Sequence, residues 1–359
     1  MIISRTPFRI SFFGGGTDYP AWYRNHGGSV LSTTIDKYCY LTVRYLPPFF
    51  DHRIRIVYSA IESCKNVDEI KHPAVREIMR YMAIDRGVEI HHDGDLPARS
   101  GMGSSSSFTV GLLHAFHALL GRMPTQKQLA DMAIHIEQDI IKECVGSQDQ
   151  VSAAHGGLNL IHFLEDGAIH CQPVTIPSHK KEELERHIML FYTGIKRTAA
   201  NVAESYTRNI EARRWQLRVM KDLVEEGLAI LVNNRPIKAF GELLNESWKV
   251  KTSLSEKVTN PEVNAIYEAA RTAGAIGGKL TGAGGGGFFM FFVPPESQEA
   301  VRTMLHKLIH VPIRFETNGS QIIFYDMERD YADEERIRNT KGDIAFRELA
   351  PKENETWPN

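Results

Sequence analysis

Apolar and polar positions alternate along residues 2–13, with Phe8, Ile10 and Phe12 on one face and Arg9 and Ser11 on the other. That is the two-residue period of a strand. Runs rich in β-branched and aromatic residues predict further strands over 29–35, 39–45, 53–58 and 88–91. His72-Pro73 opens a helix that reaches Asp85. Helical spacing returns at Phe108, Leu112, Leu113, Phe116, Leu119 and Leu120, and Gly121 closes it. A second helix starts behind Thr125, which with Gln128 matches a capping box. Its apolar stripe is Leu129, Met132, Ala133, Ile136 and Ile140. The pattern then dissolves into a polar loop over 145–151, before strands at 158–163 and 188–192. The polar stretch 178–185 is a candidate boundary. Helices over 198–232, 237–254 and 261–273 follow, the last behind the cap Asn260. A strand at 288–293, a helix at 296–309 and strands at 312–317 and 321–325 complete the order. That alternation predicts a two-layer α+β sandwich for the second half. After Asp326 the chain is charged and then rich in Pro and Asn, so a poorly ordered tail is expected.

Between the strand at 88–91 and the helix at 108–120 lies Asp95-Leu96-Pro97-Ala98-Arg99-Ser100-Gly101-Met102-Gly103-Ser104-Ser105-Ser106-Ser107. A glycine- and hydroxyl-rich loop at a helix N-terminus offers backbone N–H groups and the positive end of the helix dipole, which together hold phosphate. The two common nucleotide fingerprints do not fit. No Lys follows Gly103, as a P-loop needs, and Ser106 stands where a dinucleotide fingerprint has its third glycine.

Composition narrows the class without naming a reaction. The chain has 359 residues, 42% apolar and 24% charged, with a net charge of −2. No basic excess points to nucleic acid, and no apolar run approaches a membrane span. Cys39, Cys64, Cys144 and Cys171 are scattered without a C-x-x-C pair, which suits free thiols in a reducing cytoplasm.

Two further glycine runs and two carboxylates complete the candidates. The first strand ends in Gly14-Gly15-Gly16-Thr17-Asp18-Tyr19, where glycines admit a ligand and Thr17 and Asp18 offer a hydroxyl and a carboxylate to a polyol. The same residues would also serve as a plain Asx-capped turn. Glu137 sits beside an apolar helix stripe, where a carboxylate needs a cation or hydrogen bonds. A surface salt bridge and a divalent metal are both open there. Asp149 falls in the polar 145–151 loop, a suitable place for a catalytic carboxylate. The run Lys279-Leu280-Thr281-Gly282-Ala283-Gly284-Gly285-Gly286-Gly287 contains a formal G-x-G-x-x-G. It leads into a strand rather than a helix, so the dinucleotide context fails.

The three glycine motifs, in this order, resemble those of the GHMP kinase superfamily. The first is matched by residues 6–19, the second by 97–107 and the third by 279–287. The resemblance implies an α+β fold of two domains. The first would be like ribosomal protein S5 domain 2 over 1–183, the second ferredoxin-like over 184–330, with a tail over 331–359. It implies ATP and Mg2+ as cofactors. Pro97, Gly101, Met102, Gly103, Ser104, Ser105, Ser106 and Ser107 would wrap the ATP phosphates. Ser105 and Glu137 would hold the metal, Asp149 would be the catalytic carboxylate and Arg9 its cationic partner. Gly14, Gly15, Gly16, Thr17 and Asp18, with Gly282, Ala283, Gly284 and Gly285, would shape the acceptor site.

The triple glycine with Thr-Asp-Tyr and the Gln148-Asp149-Gln150 loop resemble the branch that phosphorylates the anomeric hydroxyl of a heptose 7-phosphate. Kinases of fucose, galactose or a uronic acid, a related decarboxylase and a non-catalytic phosphate-binding relic are the alternatives. Arg99, Lys196, Arg197 and Lys279 are candidates to meet an acceptor phosphate. A small-molecule sugar or sugar phosphate is the expected partner, with a homodimer left open.

Overall fold

The computed structural model describes residues 1–98, 100–195, 199–233, 235–326 and 330–340. In chain order the elements are β1 (Ile2–Phe13), α1 (Pro20–His26), β2 (Gly28–Tyr45), β3 (Ile54–Val57), β4 (Ile61–Cys64), α2 (Pro73–Tyr81), β5 (Val88–Gly94), α3 (Ser104–Leu119) and α4 (Gln126–Ile134). Then come α5 (Gln148–His155), β6 (Leu158–Phe163), β7 (Ile169–Pro173), α6 (Ser178–His187), β8 (Ile188–Tyr192), α7 (Ala199–Thr207), α8 (Arg214–Val232), α9 (Lys238–Thr252) and α10 (Pro261–Thr272). The chain closes through β9 (Gly277–Leu280), β10 (Phe288–Phe292), α11 (Gln298–Met304), β11 (Ile309–Val311), β12 (Phe315–Glu316), β13 (Gln321–Tyr325) and α12 (Ala332–Thr340).

The first sheet is built on β1 and β2. They pair antiparallel, and the register slips where Pro7 faces Tyr38 and Phe8 faces Ile35. Proline has no N–H to give a ladder, so a slip is the place a sheet tolerates it. β2 is one strand where the sequence suggested two. Its first half pairs with β6 and its second with β5. The main path runs β13-β1-β2-β5-β3-β4, with β12 on β2 and β7 outside β6. α3 lies across β1 and β2.

The second sheet is antiparallel, in the order β11-β8-β10-β9, with α9 packed on β9. The two layers meet where β1 ends. The Phe12 and Phe13 rings reach Phe240 of α9 edge-on, at 5.2 and 5.0 Å between centroids. A Cβ at Gly227 of α8 would lie 2.6 Å from the Phe13 ring. The junction is therefore closely packed aromatic core.

Several expectations are corrected. β12 and β13 do not close the second layer; they pair with β2 and β1 of the first. The return covers the outer edge of β1 and seats Phe315 against Phe12. The single helix expected over 198–232 is two, α7 and α8, separated by a 3₁₀ turn at Ile210–Arg213. The polar stretch 178–185 is helical, as α6, so the 183/184 division falls inside a helix. Part of the supposed tail is α12, whose Glu335 accepts from Arg53 Nη2 at 2.8 Å and Gly87 N at 3.0 Å. Arg99, Lys196, Arg197 and residues 341–359 lie outside the described residues. No helix among the described residues is long and apolar enough to cross a membrane.

Candidate active site

The phosphate loop is held from both sides by backbone. A Cβ at Gly101 would lie 2.7 Å from the Thr281 carbonyl, and one at Gly282 would lie 2.7 Å from Gly101 Cα. Only residues without a side chain allow that approach. Phe288 N donates to Ser100 O at 3.3 Å, joining the loop to the second sheet. The second and third glycine motifs are thus two surfaces of one junction. Gly103 caps α3 with left-handed backbone (φ 74°), and the helix ladder begins with Ser107 N–H on the Gly103 carbonyl at 2.9 Å. The loop thus runs straight into the N-terminus of α3, the helix end whose dipole favours phosphate.

β1 brings Arg9 to this loop. Its backbone N donates to Met102 O at 3.2 Å and its Nη1 to Gly101 O at 2.8 Å. The remaining fork grips Asp149: Nε to Oδ1 at 2.7 Å and Nη2 to Oδ2 at 2.8 Å. Arg9 is 3% exposed and Asp149 23%, so the carboxylate alone keeps an open side. Asp149 is not in a loop, as the sequence suggested. It stands in the first turn of α5, whose eight residues lack a side-chain cap and so gave no sequence signal.

Asp18 fixes where α5 starts. Its Oδ1 accepts from Gly16 N at 2.8 Å, its Oδ2 from Gln148 N at 3.4 Å, and its carbonyl from Ser147 N at 2.9 Å. A Cβ at Gly146 would lie 1.8 Å from Oδ2, so only glycine leaves the carboxylate its place. Burial, and then the neighbouring Asp149, push the Asp18 carboxyl above its ordinary range despite these N–H groups. Thr17 is turned inward. Its hydroxyl faces Gly14 O at 2.8 Å and Ser29 O at 2.9 Å, and it accepts from Ser29 N at 3.1 Å. Thr17 and Asp18 therefore build the turn. Gly14 lies against the Ser29 carbonyl and Gly284 against that of Val258, and Gly285 N donates to Val258 O at 2.8 Å. Of the first motif, Gly15 is the residue beside open polar groups, with Ser11 Oγ and Gln148 Nε2 each 3.6 Å from where its Cβ would be.

Three comparisons with known proteins bear on this geometry. Residues 68–157 match the model of the GHMP kinase N-terminal domain, and residues 228–310 that of the GHMP kinase C-terminal domain. The chain is 30% identical over 319 residues to D-glycero-alpha-D-manno-heptose 7-phosphate kinase of Campylobacter jejuni, spanning 85% of this chain and 93% of that protein. The chain belongs to the GHMP kinases. A galactokinase of Thermococcus kodakarensis is 25% identical over 314 residues, 78% of this chain and 85% of that one. The fold matches the crystal structure of a D-glycero-D-manno-heptose 1-phosphate kinase from Bacteroides thetaiotaomicron with a TM-score of 0.74. That match has 24% identity and covers 91% of this chain and all of that one.

As a GHMP kinase the protein is an ATP-dependent phosphotransferase with an alcohol acceptor, of the sugar-kinase kind. The family fold accounts for both layers, S5 domain 2-like and ferredoxin-like.

The GHMP kinase metal position can be tested on the residues present. α4 runs into a π-helical turn, His135–Ile140, which aims Glu137 at the first turn of α3. There Glu137 Oε2 accepts from Ser106 Oγ at 2.8 Å and from Gln150 Nε2. The serine that meets it is Ser106; Ser105 is exposed on the neighbouring face. Glu137 Oε1 is buried and has no partner among the described residues. Burial pushes its carboxyl up to about 7, against the hydrogen bonds from Ser106 and Gln150. No group of three or more His, Cys, Asp or Glu side chains converges among the described residues. One carboxylate with a free oxygen, beside hydroxyls and a phosphate loop, nevertheless suits Mg2+, which takes one or two carboxylates and completes its shell with phosphate and water.

Two buried lysines stand behind the site, Lys279, which the sequence offered as a phosphate contact, and Lys251, which it did not single out. Lys279 Nζ donates to Phe12 O at 2.9 Å; Lys251 Nζ donates to Leu280 O at 2.9 Å and Gly282 O at 2.6 Å. Lys279 is thus a buried brace, not an acceptor-phosphate contact. Burial first, then Arg9, lower its pKa to about 7. Burial, then Lys279 and Arg9, depress Lys251 as well. The lysine inside the third motif was visible in sequence, but its carbonyl partner was not.

Proposed function

We propose that the protein phosphorylates the anomeric hydroxyl of D-glycero-D-manno-heptose 7-phosphate, using Mg2+-ATP in the cytoplasm, to supply nucleotide-activated heptose for surface polysaccharide. The observation that carries the reading is the bidentate Arg9–Asp149 pair set against the Gly101 carbonyl of the phosphate loop. It places a carboxylate with one open side next to the cradle where the terminal phosphate would lie. The identity to the Campylobacter jejuni enzyme supports the acceptor.

In this reading the 101–107 loop and the first turn of α3 hold the ATP phosphates through N–H groups and the helix dipole. Asp149 takes the proton of the sugar hydroxyl as that oxygen attacks the γ-phosphorus in line, the bond to the bridging oxygen breaks and ADP leaves. Arg9 keeps Asp149 oriented, and its charge offsets the negative charge that builds on the transferred group. Glu137 and Ser106 would hold the metal, with Ser105 on the outer face of the same turn. Bound Mg2+ would supply charge neutralisation at the β- and γ-phosphate oxygens.

The test is ³¹P-NMR of the product after incubation with Mg2+-ATP and, separately, the heptose 7-phosphate, mannose, fucose, galactose, glucuronic acid and mevalonate. A new anomeric phosphate with the heptose phosphate, and not with the others, is expected. Turnover of a free sugar instead would keep the kinase and discard the 7-phosphate. Silence across the panel, with ATP bound, would favour a non-catalytic phosphate-binding protein.

A further inference from the structure

Two side chains beside the catalytic pair have no employment in the account so far. Ser11, on the Arg9 face of β1, is 6% exposed, and its Oγ has no partner among the described residues. Gln148, the residue before Asp149, is 8% exposed, and its Oε1 has none either. A buried polar atom left unpaired costs stability, so native proteins keep few of them. Here the two side chains border the same glycine, Ser11 through its unpaired Oγ and Gln148 through Nε2, the other end of the amide whose Oε1 is unpaired. Ser11 Oγ and Gln148 Nε2 are each 3.6 Å from the point where a Cβ on Gly15 would sit. Gly15 has no side chain there, so both groups face the space left over its backbone.

The elements bearing them are fixed. Ser11 pairs with Ser32 of β2, and β13 adds a second neighbour to β1 over Ile2–Arg5. The start of α5 is clasped by Asp18 through Ser147 N and Gln148 N.

We propose that Ser11 and Gln148 are the specificity pair of the acceptor site and read the hydroxyl next to the one that reacts. The inference rests on the sugar-kinase reading and deepens it. A serine hydroxyl and a primary amide each give and take hydrogen bonds, and so does each hydroxyl of a vicinal diol. Gln148 adjoins Asp149 in the chain. With Asp149 assigned to the reacting hydroxyl, the amide is assigned to the hydroxyl on the neighbouring carbon. For reaction at the anomeric carbon that neighbour is the 2-hydroxyl. The ligand class is therefore a cyclic polyol with a free hydroxyl beside the phosphorylated position. A site that buries hydrogen-bonding groups rejects an analogue lacking the matching hydroxyl, because those groups are then left unpaired.

The experiment compares kcat/KM for the accepted sugar and its 2-deoxy analogue in the wild type, in Ser11→Ala, in Gln148→Met and in the double variant. The wild type should favour the 2-hydroxy sugar by about 10²-fold or more. Each single variant should lose most of that preference, through slower turnover of the hydroxy sugar. The double variant should treat the two sugars within about threefold of each other. Gln148→Asn, which keeps the amide but withdraws it by one methylene, guards against a variant that does not fold. It should also shrink the preference while leaving KM for ATP unchanged. A preference that stays at the wild-type ratio in the folded variants would overturn the proposal, leaving the two atoms to water. No sugar turnover by the wild type would instead overturn the sugar-kinase reading, and the pair with it.

Discussion

Arg9 holds Asp149 through two nitrogens and the phosphate loop through a third, so its planar fork matters as much as its charge. Arg9→Lys keeps the charge and loses the fork. At about 1.5–3 kcal/mol for a hydrogen bond to a charged group, kcat/KM should fall roughly 10- to 100-fold. Steady-state kinetics showing wild-type kcat/KM would remove the positioning role. Lys279 allows a second test at this scale. Its pKa is lowered to about 7, against 10.5 for an ordinary lysine. Between those values the unfolded chain binds a proton that the folded one does not. Stability from this group is therefore lowest below about pH 7 and rises through the window up to 10.5. Lys279→Met removes the titration. The difference in Tm, wild type minus variant, should climb from pH 7 to pH 10; a flat difference would contradict it. Arg9, Asp149 and Glu137 were singled out through the resemblance of the motifs to the GHMP kinases, and the structure brings Arg9 and Asp149 together at the loop. Ser106 was not separable from Ser105, since four consecutive serines look alike until the helix rotation turns one of them onto Glu137. Thr17 stayed open for a related reason: a hydroxyl in a glycine turn serves ligand or backbone equally well on paper.

At the scale of elements, the site depends on backbone meeting backbone. Gly287 has φ +92°, and a Cβ there would lie 2.2 Å from the Ser100 carbonyl. Gly287→Ala must therefore push the third motif off the phosphate loop. A loss of about 2 kcal/mol or more is expected, read as a Tm lower by several degrees together with a higher KM for ATP. An unchanged KM for ATP would separate the junction from the loop. The capping box at Thr125 was legible and is formed. The π-helical turn that follows was not, because the apolar stripe continues through Ile136 and Ile140 as though the helix were regular. β2 was divided in two because Asp36-Lys37 interrupts its pattern. Those residues sit in the register slip opposite Pro7-Phe8, and Asp36 N turns to the Arg314 carbonyl at 2.9 Å.

At the scale of the whole molecule, the first and last strands among the described residues, β1 and β13, are neighbours in the same sheet. β1 lies between β2 and β13, and the β1 end carries Phe12 and Phe13 into the second layer. A chain ending at Val311 lacks β12, β13 and α12 and leaves the outer edge of β1 unpaired. An exposed edge of that kind invites association. Such a chain should aggregate, or melt clearly below the full protein; a soluble product with Tm within about 2 °C of the full chain would show that the return strands are dispensable. The assignment of these strands to the second layer was the largest error of topology. Hydrophobic pattern gives a strand's faces, not its neighbours, and the crossover is long-range. The account as a whole stands on Asp149 acting at the phosphate loop. The most direct test is the single-turnover rate of phosphoryl transfer from Mg2+-ATP to the heptose 7-phosphate, measured for the wild type and Asp149→Asn. A rate lower by about 10²-fold or more, with ATP affinity unchanged, is the predicted result. A variant within about threefold of the wild type would contradict the assignment of Asp149 as the proton acceptor.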